Sequence, residues 1–94
     1  MAIFALFCLD KADSLDLRLA TRERHLAYVQ SRAADLKIAG PLSDDAGQME
    51  GSMFILDVAD KAAAEAFHAQ DPYTQAGLWR QVELRAMKVT LGQL

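Results

Sequence analysis

Apolar residues recur along this chain with two different periods, and the changes between these periods predict the elements of secondary structure. Residues 2–9 form an unbroken apolar run, which is typical of a strand that is buried on both faces. From Leu15 to Leu36, apolar side chains recur every three or four positions, with Arg22 in the one slot where an apolar residue is missing, which predicts a helix of about six turns. The stripe expected to face the core consists of Leu15, Leu19, Leu26, Val29, Ala33 and Leu36.

The second half of the chain is predicted to hold a hairpin, a shorter helix and a last strand. The predicted segments are strands at 37–42, 51–58 and 82–91, a turn at 43–48 and a helix at 61–69. Gly40-Pro41 is expected to kink the first of these strands or to confine it to a sheet edge. Asp60 is a good N-cap for the helix, and Asp71-Pro72 ends or redirects it.

The element order β-α-β-β-α-β favours one four-stranded antiparallel sheet with both helices on one face, the ferredoxin-like α+β fold. A length of 94 residues fits a single domain over residues 1–94. The first and third strands are apolar at odd and even positions alike, so a lone chain would expose an apolar sheet face. We therefore expect a homodimer in which two open sheet faces pack together, and the sequence leaves further assembly of such dimers open.

Composition and charge exclude several classes of partner. The net charge is −3 and there is no run of Lys or Arg, so we expect no nucleic acid and no anionic membrane surface as partner. No apolar stretch approaches the roughly 18 residues of a membrane span. The first residues lack the pattern of a signal peptide, and the single cysteine, Cys8, lies in an apolar run, so we expect a reduced cytoplasmic protein. We expect no cofactor and no metal, because neither a phosphate-binding glycine loop nor metal-ligand spacing occurs.

His25 and Asp71 are the residues best suited to acid–base chemistry. His25 precedes Leu26 by one position, which places it about 100° around the helix, at the edge of the apolar stripe. Imidazole titrates nearest to neutral pH and commonly acts as a general acid or base. The pattern alone also allows a boundary histidine with one polar contact. Asp71 can equally be an Asx-type cap for the turn at Pro72, and Tyr73 a half-buried aromatic residue.

A set of short motifs in a fixed order runs through nearly the whole chain. The motifs are Asp10 to Leu15, Arg18-Leu19, Arg22 to Leu26, Ala39 to Leu42, Gly51-Ser52, Asp71 to Tyr73 and Ala76 to Leu78. In this order and spacing they resemble the YciI-like (YCII-related) proteins, a family of the dimeric α+β barrel type. The resemblance implies a ferredoxin-like unit that dimerises through its sheet. It also implies a His–Asp pair in a pocket between helices and sheet, which corresponds here to His25 and Asp71.

The resemblance further implies small-molecule chemistry without a cofactor. Because relatives include a cofactor-independent dehydrochlorinase, we expect a lyase or isomerase acting on a small carbonyl or hydroxyaromatic compound. His25 would be the base and Asp71 would orient it, while Arg22 or the Ser52 hydroxyl would stabilise an enolate. Arg22 can equally be an exposed or ion-paired helix residue. The remaining residues expected to bind the substrate are Tyr73, Gly40 and Pro41. The alternatives are a non-catalytic small-molecule-binding or regulatory module of the same fold, and an accessory protein with a vestigial pocket.

Overall fold

The computed structural model describes residues 2–94 and contains one four-stranded antiparallel sheet with helices packed on one face. The elements are β1 (Ala2–Asp10), α1 (Leu15–Ser31), a 3₁₀ turn (Ala33–Asp35), β2 (Leu36–Ser43), β3 (Met49–Val58), α2 (Lys61–Gln70), α3 (Pro72–Gln75) and β4 (Trp79–Met87). The strand order is β2-β3-β1-β4 with every neighbouring pair antiparallel, which confirms the predicted ferredoxin-like α+β fold. Within the described range, none of the helices is long and apolar enough to cross a membrane.

The largest differences between the predicted and the observed element boundaries are in the long helix and in the last strand. The long helix α1 ends at Ser31, well before Leu36, because the hydrogen bonds change there from the i→i−4 to the i→i−3 pattern. The Arg32 N–H reaches the carbonyl of Val29 as well as that of Tyr28, and the chain continues as the 3₁₀ turn. The last strand begins at Trp79 instead of residue 82 and ends at Met87, because its pairing with β1 already starts there. Gly40-Pro41 lies in β2 at a sheet edge, as predicted.

The core lies between the sheet and the helices. Its buried members are Phe4, Leu6 and Cys8 of β1, Phe54, Leu56 and Val58 of β3, and Ala64 and Phe67 of α2. Burial alternates along β1, so this strand is fully buried on one face only, and the prediction of two buried faces is wrong for the single chain. Burial is also the main reason why the pKa of the Cys8 thiol is raised to about 12, which makes this cysteine unreactive.

The apolar stripe predicted for α1 is not the buried face of this helix. Leu19 and Leu26 are 51% and 45% exposed, whereas the buried residues are Arg18, Thr21 and His25. These three lie at spacings of three and four, on one side of the helix. Val29 of the predicted stripe does pack against the core, so the prediction failed only for the earlier part of α1, where buried polar side chains find hydrogen-bond partners. His25 is therefore on the buried face itself and not at its edge.

Gly51 marks a close approach between β3 and β1. A Cβ atom at this position would lie 2.5 Å from the carbonyl oxygen of Cys8, a backbone atom that cannot rotate away. We expect Gly51→Ala to lower the free energy of unfolding in urea by about 1–3 kcal/mol. The matched control is Gly40→Ala, whose Cβ would meet nothing within 4 Å and which should stay within about 0.5 kcal/mol of the native protein. Equal stability of the two variants would contradict this explanation.

We expect His68 to make the stability of the fold depend on pH. Burial lowers its pKa below the usual 6.5, although the nearby Asp71 carboxylate opposes the shift. Its Nδ1 lies 3.4 Å from Thr74 Oγ1, which accepts a hydrogen bond from Trp79 Nε1–H at 2.9 Å, so the hydroxyl proton can go only to a neutral imidazole. Because folding favours neutral His68, its contribution is complete above about pH 6.5 and is lost as the pH falls through the lowered pKa.

We therefore expect the free energy of unfolding to fall less on acidification in His68→Gln than in the native protein. Urea unfolding of both proteins at about pH 7.5 and about pH 5 measures this difference on either side of the usual histidine pKa. Identical losses of stability in the two proteins would show that His68 does not contribute.

Candidate active site

A cavity of about 140 Å³ opens between α1, β2 and β3. Its buried lining consists of Arg18, His25, Ser52, Phe54 and Tyr73, and its exposed mouth includes Arg22, Leu26, Ala39, Gly40 and Pro41. The volume is close to that of an engineered cavity of about 150 Å³ that binds benzene. A compound built on a single small ring is therefore the size of ligand that this cavity can hold.

His25 and Asp71 form a buried hydrogen-bonded pair beside this cavity. His25 Nδ1 lies 2.8 Å from Asp71 Oδ1, and the same oxygen accepts the Tyr73 backbone N–H at 2.9 Å. A carboxylate can only accept, so Nδ1 carries a proton, and in the neutral form of the ring Nε2 is the unprotonated nitrogen. Asp71 is also the N-cap of α3. Its carboxylate therefore caps this helix, as predicted, and at the same time pairs with His25.

The imidazole ring of His25 is held in place by aromatic neighbours. Tyr73 stacks on it with ring centroids 4.0 Å apart and an interplanar angle of 18°, and Phe54 approaches edge-on at 6.0 Å. Burial raises the pKa of Tyr73, and although Arg18 and Arg22 oppose this shift, the phenol stays neutral. With three neighbours fixing its orientation, His25 has the rigid support that a proton-transferring group requires.

A second buried cluster was missed by the sequence analysis. Arg18 Nε and Nη2 donate to the Asp10 carboxylate at 2.7 and 2.9 Å, and Nη2 also donates to Ser52 Oγ at 3.0 Å. Burial lowers the pKa of Arg18, but the hydrogen bonds and charge of Asp10 outweigh it and raise the pKa overall. Two signals were present in the sequence: Asp10 continues the inward alternation of β1, and Arg18 lies seven residues before His25 on the same helix face.

Every residue predicted for the site lines the cavity except Asp71, which lies behind the His25 ring. Gly40 and Pro41 form one wall of the mouth, and Arg22 is exposed there and makes no ion pair with any residue in 2–94. No carboxylate is among the lining residues, so the charged groups that face the cavity are the guanidinium groups of Arg18 and Arg22.

A larger depression of about 500 Å³ lies at the N-terminal end of α1, on the other side of the Asp10–Arg18 pair. Acidic side chains dominate its rim, namely Asp10, Asp13, Asp16, Asp44 and Glu50. It contains no histidine, and residues 2–94 contain no group of three potential ligands arranged to hold a metal ion. The acid–base groups are at the smaller cavity, and we place the candidate site there.

The sheet topology and the paired His25 and Asp71 define a ferredoxin-like α+β protein with a buried histidine–carboxylate pair beside a small cavity. The chain belongs to the YCII-related domain family, whose model matches residues 2–88. It is 35% identical over 94 residues to Protein YciI of Escherichia coli O6:H1 (strain CFT073), a match that covers 92% of this chain and 96% of that protein.

Solved structures with the same fold include one enzyme of related sequence. It is the 5-chloro-2-hydroxyhydroquinone dehydrochlorinase of Burkholderia phenoliruptrix AC1100, solved in complex with 2,5-dihydroxybenzoquinone. The similarity has a TM-score of 0.83 with 27% identity and covers 92% of this chain and 93% of that one. An antibiotic biosynthesis monooxygenase is similar at a TM-score of 0.59 with 16% identity, covering 97% and 100% of the two chains, which shows the fold alone.

Proposed function

We propose that this protein is a cofactor-independent lyase or isomerase that acts on a small carbonyl or hydroxyaromatic compound, with His25 as general base and Asp71 as the residue that orients it. The observation that carries the proposal is the shared Asp71 Oδ1, which accepts from both His25 Nδ1 and the Tyr73 N–H and so leaves Nε2 as the proton acceptor. The similarity to a dehydrochlorinase supports a lyase, and the cavity volume suits one ring.

The reaction would begin when His25 Nε2 takes a proton from a carbon or hydroxyl group that is acidified by a neighbouring carbonyl. The electron pair of the broken bond moves to the carbonyl oxygen and forms an enolate, while the Asp71 carboxylate stabilises the imidazolium. In an isomerase the imidazolium returns the proton to another carbon. In a lyase the enolate electrons reform the carbonyl and expel a leaving group such as chloride, so that the elements of an acid are lost.

The developing negative charge would be stabilised by other groups that line the same cavity. Arg22 at the mouth is without an ion pair in the described chain, and the Ser52 hydroxyl is buried in the lining. Donors fixed in a site that excludes water stabilise a transition state more than they would in water.

Hydrogen–deuterium exchange into 2,5-dihydroxybenzoquinone tests this proposal without knowledge of the natural substrate. In D₂O the active site would return a deuteron to a ring carbon and remove the proton, so the ring C–H signal in the ¹H NMR spectrum would disappear faster with protein. We expect His25→Gln to reduce the protein-dependent exchange rate by about 10²–10⁴-fold. The matched control is His68→Gln, because His68 is the other histidine of the chain and does not line the cavity.

The outcomes of this experiment separate the proposed enzyme from its alternatives. Exchange that is as fast in His25→Gln as in the native protein would contradict the assignment of the base. Binding of the quinone without any accelerated exchange would favour the non-catalytic binding module instead.

We also propose that the protein is a homodimer whose open sheet faces pack together. This face carries large exposed apolar side chains, with Ile38, Met53 and Met87 exposed to 58%, 38% and 48%. An apolar patch of this kind is typical of an interface. We expect light scattering at micromolar concentration to give the mass of two chains, and Met53→Lys, which buries a charge in that interface, to shift it towards one. A native mass of one chain would contradict the proposal.

A further inference from the structure

We propose that Arg18 and Asp10 position the Ser52 hydroxyl as a fixed hydrogen-bond donor for an anionic oxygen of the bound compound. The cavity would therefore prefer a ring that carries an ionised oxygen, such as a hydroxyquinone anion, over a neutral ring of the same size. This inference rests on the proposed function for its ligand class, and it supplies that reaction with a place for the negative charge.

The first support is the rigid orientation of the Arg18 guanidinium. Two parallel hydrogen bonds hold it to the Asp10 carboxylate, and the side chains are only 2% and 6% exposed. A bidentate pair of this kind fixes both the position and the plane of the guanidinium. The second hydrogen of Nη2 then points to Ser52 Oγ, which it reaches at 3.0 Å.

The second support is the direction of the Ser52 hydroxyl proton. A serine hydroxyl has one proton to donate, and Oγ here already accepts from Arg18. Among residues 2–94 no acceptor receives the Ser52 proton, although the residue is only 2% exposed and lines the cavity. Ser52 lies on the inward face of β3. This strand is paired on both sides, and Ser52 is the partner of Cys8 in β1, so the sheet holds its backbone in place. The free proton is therefore available to a molecule in the cavity.

The third support is the charge of the cavity lining. The chain as a whole is acidic, with a net charge of −3, but the charged residues that line this cavity are Arg18 and Arg22. Asp10, which balances Arg18, lines the neighbouring depression and not this cavity. Arg22, which makes no ion pair with any residue in 2–94, therefore leaves an uncompensated positive charge at the mouth of the cavity that attracts an anion and repels a cation.

Binding of an anionic and a neutral ring to the full-length protein tests the proposal. Isothermal titration calorimetry at neutral pH would compare the dissociation constants of two compounds. One is 2,5-dihydroxybenzoquinone, which is an anion at this pH, and the other is hydroquinone, which is neutral. We expect the native protein to prefer the anion, and Ser52→Ala to weaken binding of the anion about tenfold or more while changing hydroquinone binding much less. Equal loss for both ligands, or no native preference for the anion, would overturn the proposal.

The positioning role of Arg18 is tested by Arg18→Lys, which keeps the charge but lacks the planar guanidinium that holds Asp10 through two parallel hydrogen bonds while it donates to Ser52. We expect this variant to lose anion preference as Ser52→Ala does, and the double variant to lose little more than either single one, since both act through one hydrogen bond. The matched control is Arg24→Lys, because Arg24 is exposed on the same helix and does not line the cavity. Losses that add in the double variant would contradict the coupling, and Ser52→Ala alone decides if Arg18→Lys does not fold.

The failure of this proposal can be distinguished from the failure of the proposed function. Exchange that depends on His25, together with unchanged anion preference in Ser52→Ala, would reject the positioning role and keep the base. Anion preference that depends on Ser52, in a protein that does not accelerate exchange, would keep the positioning role and reject the reaction.

Discussion

Replacing Asp71 with asparagine is expected to lower the rate of proton exchange by about 100-fold or more while the protein stays folded. The amide oxygen of asparagine can take the place of Oδ1 and accept from both His25 Nδ1 and the Tyr73 N–H. The variant therefore keeps the geometry and loses the negative charge that stabilises the imidazolium after His25 has taken a proton. Exchange into 2,5-dihydroxybenzoquinone measures the rate, and thermal unfolding measures the stability.

Two further variants separate the charge of Asp71 from its capping role. Asp71→Ala removes the acceptor of the Tyr73 N–H and is expected to lose about 1 kcal/mol of stability as well as the exchange rate. Asp60→Asn is the matched control, because Asp60 caps α2 through the Ala63 N–H at 2.9 Å and does not line the cavity. An exchange rate in Asp71→Asn equal to that of Asp60→Asn would show that the carboxylate charge has no part in the reaction.

Replacing Arg18 with methionine is expected to lower the free energy of unfolding by about 3–5 kcal/mol. The substitution leaves the Asp10 carboxylate buried without the two hydrogen bonds that it accepts from Arg18, and it also removes a donor to Ser52. An ion left alone in a buried site costs far more than the pair itself contributes. Urea unfolding measures the loss, and the methionine retains most of the volume of the arginine side chain.

A surface ion pair of the same type provides the control for this prediction. Arg32 contacts Asp35 at 2.9 Å, but the two side chains are 30% and 31% exposed, so Arg32→Met should cost no more than about 1 kcal/mol. Adding Asp10→Leu to Arg18→Met removes the stranded carboxylate and is expected to recover part of the stability. If Arg18→Met is no less stable than Arg32→Met, the buried pair does not stabilise the fold as described.

The fold could be predicted because the strands of this chain are apolar and separated by clear turn signals. The apolar runs of β1 and β3 and the order of the elements lead to one antiparallel sheet, and the structure confirms it. The open sheet face was read from the same strands, and the dimer that it suggests stays a prediction.

The orientation of α1 could not be predicted from its apolar residues. Leu19 and Leu26 belong to the predicted apolar stripe, yet they are exposed, and Arg18 and His25 are buried in their place. Helix periodicity assumes that apolar side chains seek the core, and this rule does not apply where the partner surface is polar. In this protein the partner surface includes Ser52 and Asp71, which contact Arg18 and His25.

The candidate site was predicted in part, through the family resemblance more than through spacing. His25 and Asp71 are 46 positions apart, so no local pattern joins them, and only the folded chain brings their side chains to 2.8 Å. The pairing of Arg18 with Asp10 was not predicted, because Arg18 was considered only as a helix residue and Asp10 only as the end of the first strand. The alternation of inward-facing residues along β1 nevertheless extends to Asp10. A buried charge on an inward strand position requires a partner, and this requirement identifies such pairs.

The tautomer of His25 is the most direct measurement of the central claim, which is that Asp71 holds the imidazole with Nε2 as its proton acceptor. Long-range ¹H–¹⁵N correlation NMR of the imidazole nitrogens in ¹⁵N-labelled protein at neutral pH distinguishes the two ring nitrogens, and His68→Gln assigns the remaining set of signals to His25. We predict a protonated Nδ1 and an unprotonated Nε2 in the native protein. A neutral His25 with its proton on Nε2 would contradict the account, because that nitrogen could not then act as the base.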